Sequence, residues 1–166
     1  MLRNGMKPTV YFSNSNIYPQ QEFDIRKHEL MRFLEAQQVP YVEDEYDHEE
    51  WLATIRGLEK EPERGSRCSM CFQYRLTHAA KYAQEHGFHL LTTTLASSRW
   101  KNIKQIDAAG HIAVEGCPGY PCFFNQFGYS NFGGFLERYK FNQCSQQPVF
   151  YLSVGYFSFI HDTFFL

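Results

Sequence analysis

RCSMCFQYRLTHAAKYAQEHGFHLLTTT, Arg67 to Thr94, carries a helix, its stop signal and a strand in one run. Phe72, Leu76, Ala79, Ala80 and Ala83 recur at the three- and four-residue spacing of one helix face. Gly87 stands where a helix ending at His86 needs a C-terminal cap. Phe88 to Thr94 then turns apolar and β-branched, the texture of a strand. A helix feeding directly into such a strand is half of a βαβ unit.

The same alternation extends to both sides. Pro8–Ser13 (PTVYFS) is predicted as a short buried strand closing on the loop Asn14-Ser15-Asn16. Pro19 suits the first turn of a helix, and Phe23, Leu30, Phe33 and Leu34 mark its stripe up to Gln38. Val39–Tyr46 is a second strand candidate. Asp47 is a candidate N-cap for a helix through Trp51, Leu52 and Ile55. Gly57–Gly65 is a charged loop. Beyond the third strand, Ser97 to Lys101 is a polar loop, and Ile103, Ile106, Ala109 and Ala113 mark another helix. This order predicts an α/β layer with a mostly parallel sheet flanked by helices. Functional loops then belong at the strand C-termini: Asn14–Asn16, Asp44–Asp47 and Leu95–Lys101.

The texture changes near residue 116. Residues 117–166 hold 11 of the 16 Phe and four charged residues, Glu137, Arg138, Lys140 and Asp162. The division expected is an α/β domain over 1–116 and an aromatic-rich tail over 117–166. Within the tail, Val149–Ile160 is almost uniformly apolar and shows neither a helix nor a strand period.

A net charge of −2 gives no global electrostatic case for a nucleic-acid or membrane partner. Five cysteines, an odd number, argue against a fully paired secreted framework. No run approaches the roughly 18 apolar residues that span a bilayer, and no leader pattern opens the chain. A cytoplasmic, reduced protein is expected.

Cys68-Ser69-Met70-Cys71 carries the chemistry. A thiolate is the metal ligand and nucleophile, and its pKa falls at a helix N-terminus or beside Arg. Three-residue spacing turns both sulfurs toward one ion or cluster. Two reduced core cysteines are the plainer alternative. Cys117-Pro-Gly-Tyr-Pro-Cys122 offers two further thiols for a structural zinc site, and Cys144 reads as an inert thiol. Arg99, Lys101 and Lys104 around Trp100 have the make-up of a nucleic-acid contact, a cationic groove with a stacking ring. A solvated helix start explains them equally well. No P-loop, G-x-G-x-x-G or nucleophile elbow is present.

Several runs resemble the iron–sulfur epoxyqueuosine reductases of the QueH type. They are Tyr11–Pro19 (YFSNSNIYP), Trp51 with Gly57-Leu-Glu59, and Glu61–Gly65 (EPERG). Arg67–Phe72 (RCSMCF), Tyr74–Leu76 (YRL), Thr92–Leu95 and Ser97–Ile103 (SSRWKNI) belong with them. The similarity is close from about Val10 to Val114. It implies a Rossmann-like layer lacking the family's first strand. It also implies reduction of epoxyqueuosine to queuosine in tRNA, with an unidentified electron donor as second partner.

The family pattern implies that Cys68 and Cys71 hold a [4Fe-4S] cluster together with an adjacent Cys-Cys pair from that first strand. A C-terminal Cys-Gly-Cys disulfide belongs to the same pattern, and an additional metal ion is possible chemistry there. By position, Asn14, Asn16 and Arg75 fall on substrate-binding or cluster-tuning places, with Arg99, Trp100 and Lys101 beside them. Tyr74 and His78 are candidate proton donors. Cys117, Cys122 and Cys144 match no family role. A truncated start, an out-of-frame tail and an inactive chain are the corresponding expectations. The alternative is a non-catalytic zinc- or tRNA-binding remnant using Cys68, Cys71, Cys117 and Cys122.

Overall fold

The computed structural model describes residues 7–88, 90–95, 98, 100–117, 123–126 and 148–153, the last two segments as backbone. Five strands and four helices lie in these residues: β1 (Lys7–Phe12), α1 (Gln20–Ala36), β2 (Tyr41–Glu43), α2 (His48–Thr54), α3 (Ser66–Glu85), β3 (Leu90–Thr93), α4 (Ile103–Glu115), β4 (Phe123–Gln126) and β5 (Pro148–Ser153). The strands form one sheet in the order β2-β1-β5-β3-β4, and every neighbouring pair is parallel.

The two faces of β1 explain the layering. Alternate side chains of a strand point to opposite faces. Val10 and Phe12 therefore pack with Phe23, Leu30 and Leu34 of α1, while Tyr11 packs on the other face with Phe72, Leu76, Ala79 and Ala83 of α3. Ile106, Ala109 and Ala113 of α4 and Leu91 of β3 complete that second core. Leu76 is fully buried, and burial of a Leu side chain stabilises by about 1.5–3 kcal/mol. The small residues Ala79, Ala80 and Ala83 keep α3 close to the sheet.

Caps set the helix ends, at Asp47 and Gly87 as the sequence predicts and at Asn102 as a further one that the structure adds. The Asp47 carboxylate accepts from the Glu50 amide at 2.8 Å, opening α2. Asn102 does the same for α4, accepting from Lys104 N at 3.0 Å. Gly87 has φ +71°, the left-handed conformation that lets α3 stop. The Phe88 amide then donates to Ala83 O at 2.8 Å, turning the chain into β3.

The second strand is shorter than predicted, three residues instead of eight. Pro40 lacks an amide donor, and its carbonyl accepts from Val10 N at 2.9 Å just before the strand begins. The apolar run near residue 149 holds β5. That strand pairs with β1 over Lys7–Phe12 and with β3 over Leu90–Thr93, filling the centre of the sheet. No helix among the described residues is long and apolar enough to cross a membrane.

Candidate active site at the C-terminal edge of the sheet

The charged loop folds back to start α3. A Cβ on Gly65 would meet Pro62 O at 2.9 Å, so only glycine fits that approach. The Glu61 carboxylate accepts from Ser66 N at 3.2 Å, and Arg67 Nη1 donates to Glu59 O at 3.1 Å. Arg64 Nε donates to Trp100 O at 3.1 Å. Gln105 of α4 closes the junction, its Nε2 donating to Arg64 O and to Ser69 Oγ, both at 2.8 Å. These contacts hold the first turns of α3, where the two thiols sit.

Cys68 and Cys71 are free and half-buried. Three residues apart on one helix, they share a face. One turn beyond Cys71 lies Arg75, 2% exposed. Its Nε donates to Ser13 O at 2.8 Å, and its Nη2 reaches Asn14 Oδ1 at 2.5 Å. Burial pulls the guanidinium pKa down, while Cys71 and Asp44 push it back up. Arg75 is thus an internal latch between the thiol-bearing helix and the loop after β1.

A second network borders the latch. Ser13 Oγ donates to Asp44 Oδ2 at 2.5 Å, and His78 Nδ1 lies 3.4 Å from the same oxygen. Burial works to raise the Asp44 carboxyl, yet hydrogen bonds from His78, Ser13 and Tyr11 outweigh it and hold the pKa below the ordinary carboxylate value. Asp44 in turn holds the His78 imidazole above its usual value against the opposing effect of burial. The His78 ring lies 4.4 Å from that of Tyr74, whose hydroxyl donates to Glu50 at 2.8 Å. Sequence reasoning named Tyr74 and His78 as proton donors and placed Asp44 in a functional loop; that its carboxylate ties His78 to Ser13 and Tyr11 appears only in the fold. Its only sequence signal is its place just past a strand end.

The remaining predicted residues fall as follows. Asn14 is buried and Asn16 half-buried in the loop after β1. Trp100 is 60% exposed. Lys101 pairs with Glu63 at 3.5 Å and sits 5.9 Å above the centre of the Phe72 ring. Arg99, Cys122 and Cys144 lie outside the described residues. Cys117 is buried, its thiol donating to Ala113 O at 3.5 Å, and burial pushes the thiol pKa up. Among the described residues no three His, Cys, Asp or Glu form a metal-binding group.

The described residues thus form a parallel α/β sheet with two free thiols on a helix at its C-terminal edge, backed by a buried arginine. The family model described as "Epoxyqueuosine reductase QueH" matches residues 1–145. The chain belongs to the QueH family of epoxyqueuosine reductases. The match runs well past Val114, where the motif resemblance fades, and into the aromatic-rich segment. The chain is 45% identical over 115 residues to a protein named epoxyqueuosine reductase QueH from Haemophilus influenzae, covering 69% of this chain and 47% of that one. A protein of the same name from Histophilus somni is 46% identical over 112 residues, 68% and 46% of the two chains. One from Acinetobacter baylyi is 42% identical over 118 residues, 71% and 54%. The chain spans about half the length of the curated relatives it matches.

Proposed function

We propose that this chain carries the central part of an enzyme that reduces epoxyqueuosine to queuosine in tRNA. The observation that carries the proposal is the pair of free thiols on the first turns of α3, at the strand C-termini where α/β sheets place their chemistry. Reduction of an epoxide to an alkene breaks two C–O bonds, takes up two electrons and two protons, and releases water.

Cys68 and Cys71 are the residues that would hold a [4Fe-4S] cluster, which when bound supplies the electrons from an external donor. Two thiolates fit half of a four-thiolate set, so the chain alone is expected to hold a cluster weakly and to turn over slowly or not at all. An additional metal ion has no three-residue donor group among the described residues. Arg75 places a buried guanidinium beside Cys71 and ties that turn of α3 to the loop after β1. The Asp44–His78 pair and Tyr74 keep protons at the same edge. Trp100, Lys101 and exposed Lys104 supply a ring and cations toward an RNA backbone.

The test is anaerobic reconstitution with iron and sulfide. Visible charge-transfer absorption, lost in Cys68→Ser and in Cys71→Ser but retained in Cys117→Ser, supports the assignment. One colourless zinc per chain, lost with Cys117→Ser, sinks it in favour of a zinc-binding remnant. Conversion of epoxyqueuosine tRNA at a normal rate would refute the expected weakness of the chain on its own.

A further inference from the structure

Rings stack on His48 beside the loop after β1: Tyr18 at 5.1 Å with planes at 25°, Trp51 at 5.4 Å and 24°, and Tyr46 farther off at 6.3 Å and 10°. A carbonyl only accepts, so the 2.7 Å contact between His48 Nδ1 and Ser15 O makes Nδ1 the donor and fixes the plane of the imidazole. The outer rung is Tyr18, 74% exposed, the most exposed large ring of the described residues. An exposed ring that ends a preformed stack has one face committed and the other turned to solvent.

A second observation concerns Trp51 and the loop that precedes Tyr18. Asn14 Nδ2, Asn16 Oδ1 and Trp51 Nε1 are buried and have no hydrogen-bond partner among the described residues. Asn14 is itself 2% exposed. Buried polar atoms left unpaired are destabilising. A polar ligand at this end of the sheet would satisfy them.

Charge selects the part of the ligand that comes here. Glu45 and Glu49 are exposed on either side of His48 in the sequence, so a phosphate is repelled and a neutral or cationic heterocycle is favoured. The cations that suit phosphates, Lys101 and Lys104, belong to the loop and helix after β3 instead.

We propose that the Tyr18–His48–Trp51 ladder is a stacking platform for one unpaired nucleobase of an RNA loop. The inference rests on the tRNA reading above and assigns a specificity site to it. Base–aromatic stacking contributes about 1–3 kcal/mol by substitution, so loss of the outer ring should weaken RNA binding by roughly 5- to 150-fold.

The experiment uses the full chain and an anticodon stem-loop RNA with 2-aminopurine placed at each loop position in turn. The expected result is quenching of the fluorophore at one position on binding by the wild-type chain. Tyr18→Ala should weaken binding by at least fivefold and abolish that quenching, and Tyr18→Trp should restore both. Because Tyr18 is exposed, its variants should keep the wild-type Tm, and circular dichroism checks this. If the wild type binds and Tyr18→Ala binds equally well with the quenching unchanged, the platform is overturned while the tRNA reading stands. If the wild type does not bind the RNA at all, both fall.

Discussion

Replacing Arg75 by Met isolates the latch between α3 and the β1 loop. Met fills much of the same space but donates nothing, so the Ser13 carbonyl and the Asn14 side-chain oxygen lose their donor inside the protein. Each stripped buried acceptor costs about 1–3 kcal/mol. Removing a buried guanidinium also relieves its desolvation, the same effect that pulls its pKa down, and this offsets part of the loss. The net cost expected is about 2–4 kcal/mol, which for a chain of this size lowers Tm by roughly 4–16 °C. Urea unfolding followed by circular dichroism measures it, with an unchanged slope showing that the two-state transition is intact. Arg75→Lys keeps the charge but not the forked geometry, and should lose about half as much. In a double-mutant cycle with Asn14→Ala, a coupling of at least about 1 kcal/mol is expected. A midpoint for Arg75→Met within about 0.5 kcal/mol of wild type, or strict additivity with Asn14→Ala, would show that the latch contributes nothing.

Three further predictions concern the same edge. The His78 pKa is raised above 6.5, so its contribution is complete below pH 6.5 and is lost as pH rises through the folded value. The Asp44 pKa is lowered below 3.8, so its contribution is complete above pH 3.8 and is lost as pH falls through the folded value. Wild-type stability should therefore decline as the pH rises above 6.5, and His78→Gln should flatten that decline; parallel profiles would refute the pairing. Asp47→Ala removes the cap of α2 and should cost about 1 kcal/mol. Faster amide exchange confined to residues 48–54 would locate the loss, and unchanged exchange there would contradict it. Iodoacetamide labelling of the folded chain, mapped by mass spectrometry, should modify Cys68 and Cys71 well before Cys117. Equal rates would mean that the burial and raised pKa of Cys117 do not govern its reactivity.

The elements flanking the thiols were legible because each announced itself locally. The stripe from Phe72 to Ala83, the stop at Gly87 and the cap at Asp47 depend on neighbours a few residues away. Strand β5 did not announce itself. Strands inside parallel sheets read as continuous apolar runs, so the run around Val149 has no period to separate it from a buried helix. The particular role of Asp44 within its expected functional loop escaped notice for a related reason. A carboxylate after a strand looks like any polar loop residue until the fold brings Ser13, Tyr11 and His78 to it. Cys68 and Cys71 were identified from spacing alone, whereas the burial of Arg75 and its bond to Asn14 are products of tertiary structure. Arg64 and Arg67 precede the thiols in the sequence; the structure engages both with backbone carbonyls of the adjoining loops.

The central place of β5 has a consequence for synthesis on the ribosome. Lys7 pairs with Pro148, so the two partners emerge far apart in time. Until β5 arrives, β1 and β3 each present an unpaired inner edge, and the two halves of the sheet have no strand in common. Bare parallel edges of this kind invite association with other chains. The nascent protein must therefore wait with its sheet open, and chaperone dependence should be set by how long that wait lasts.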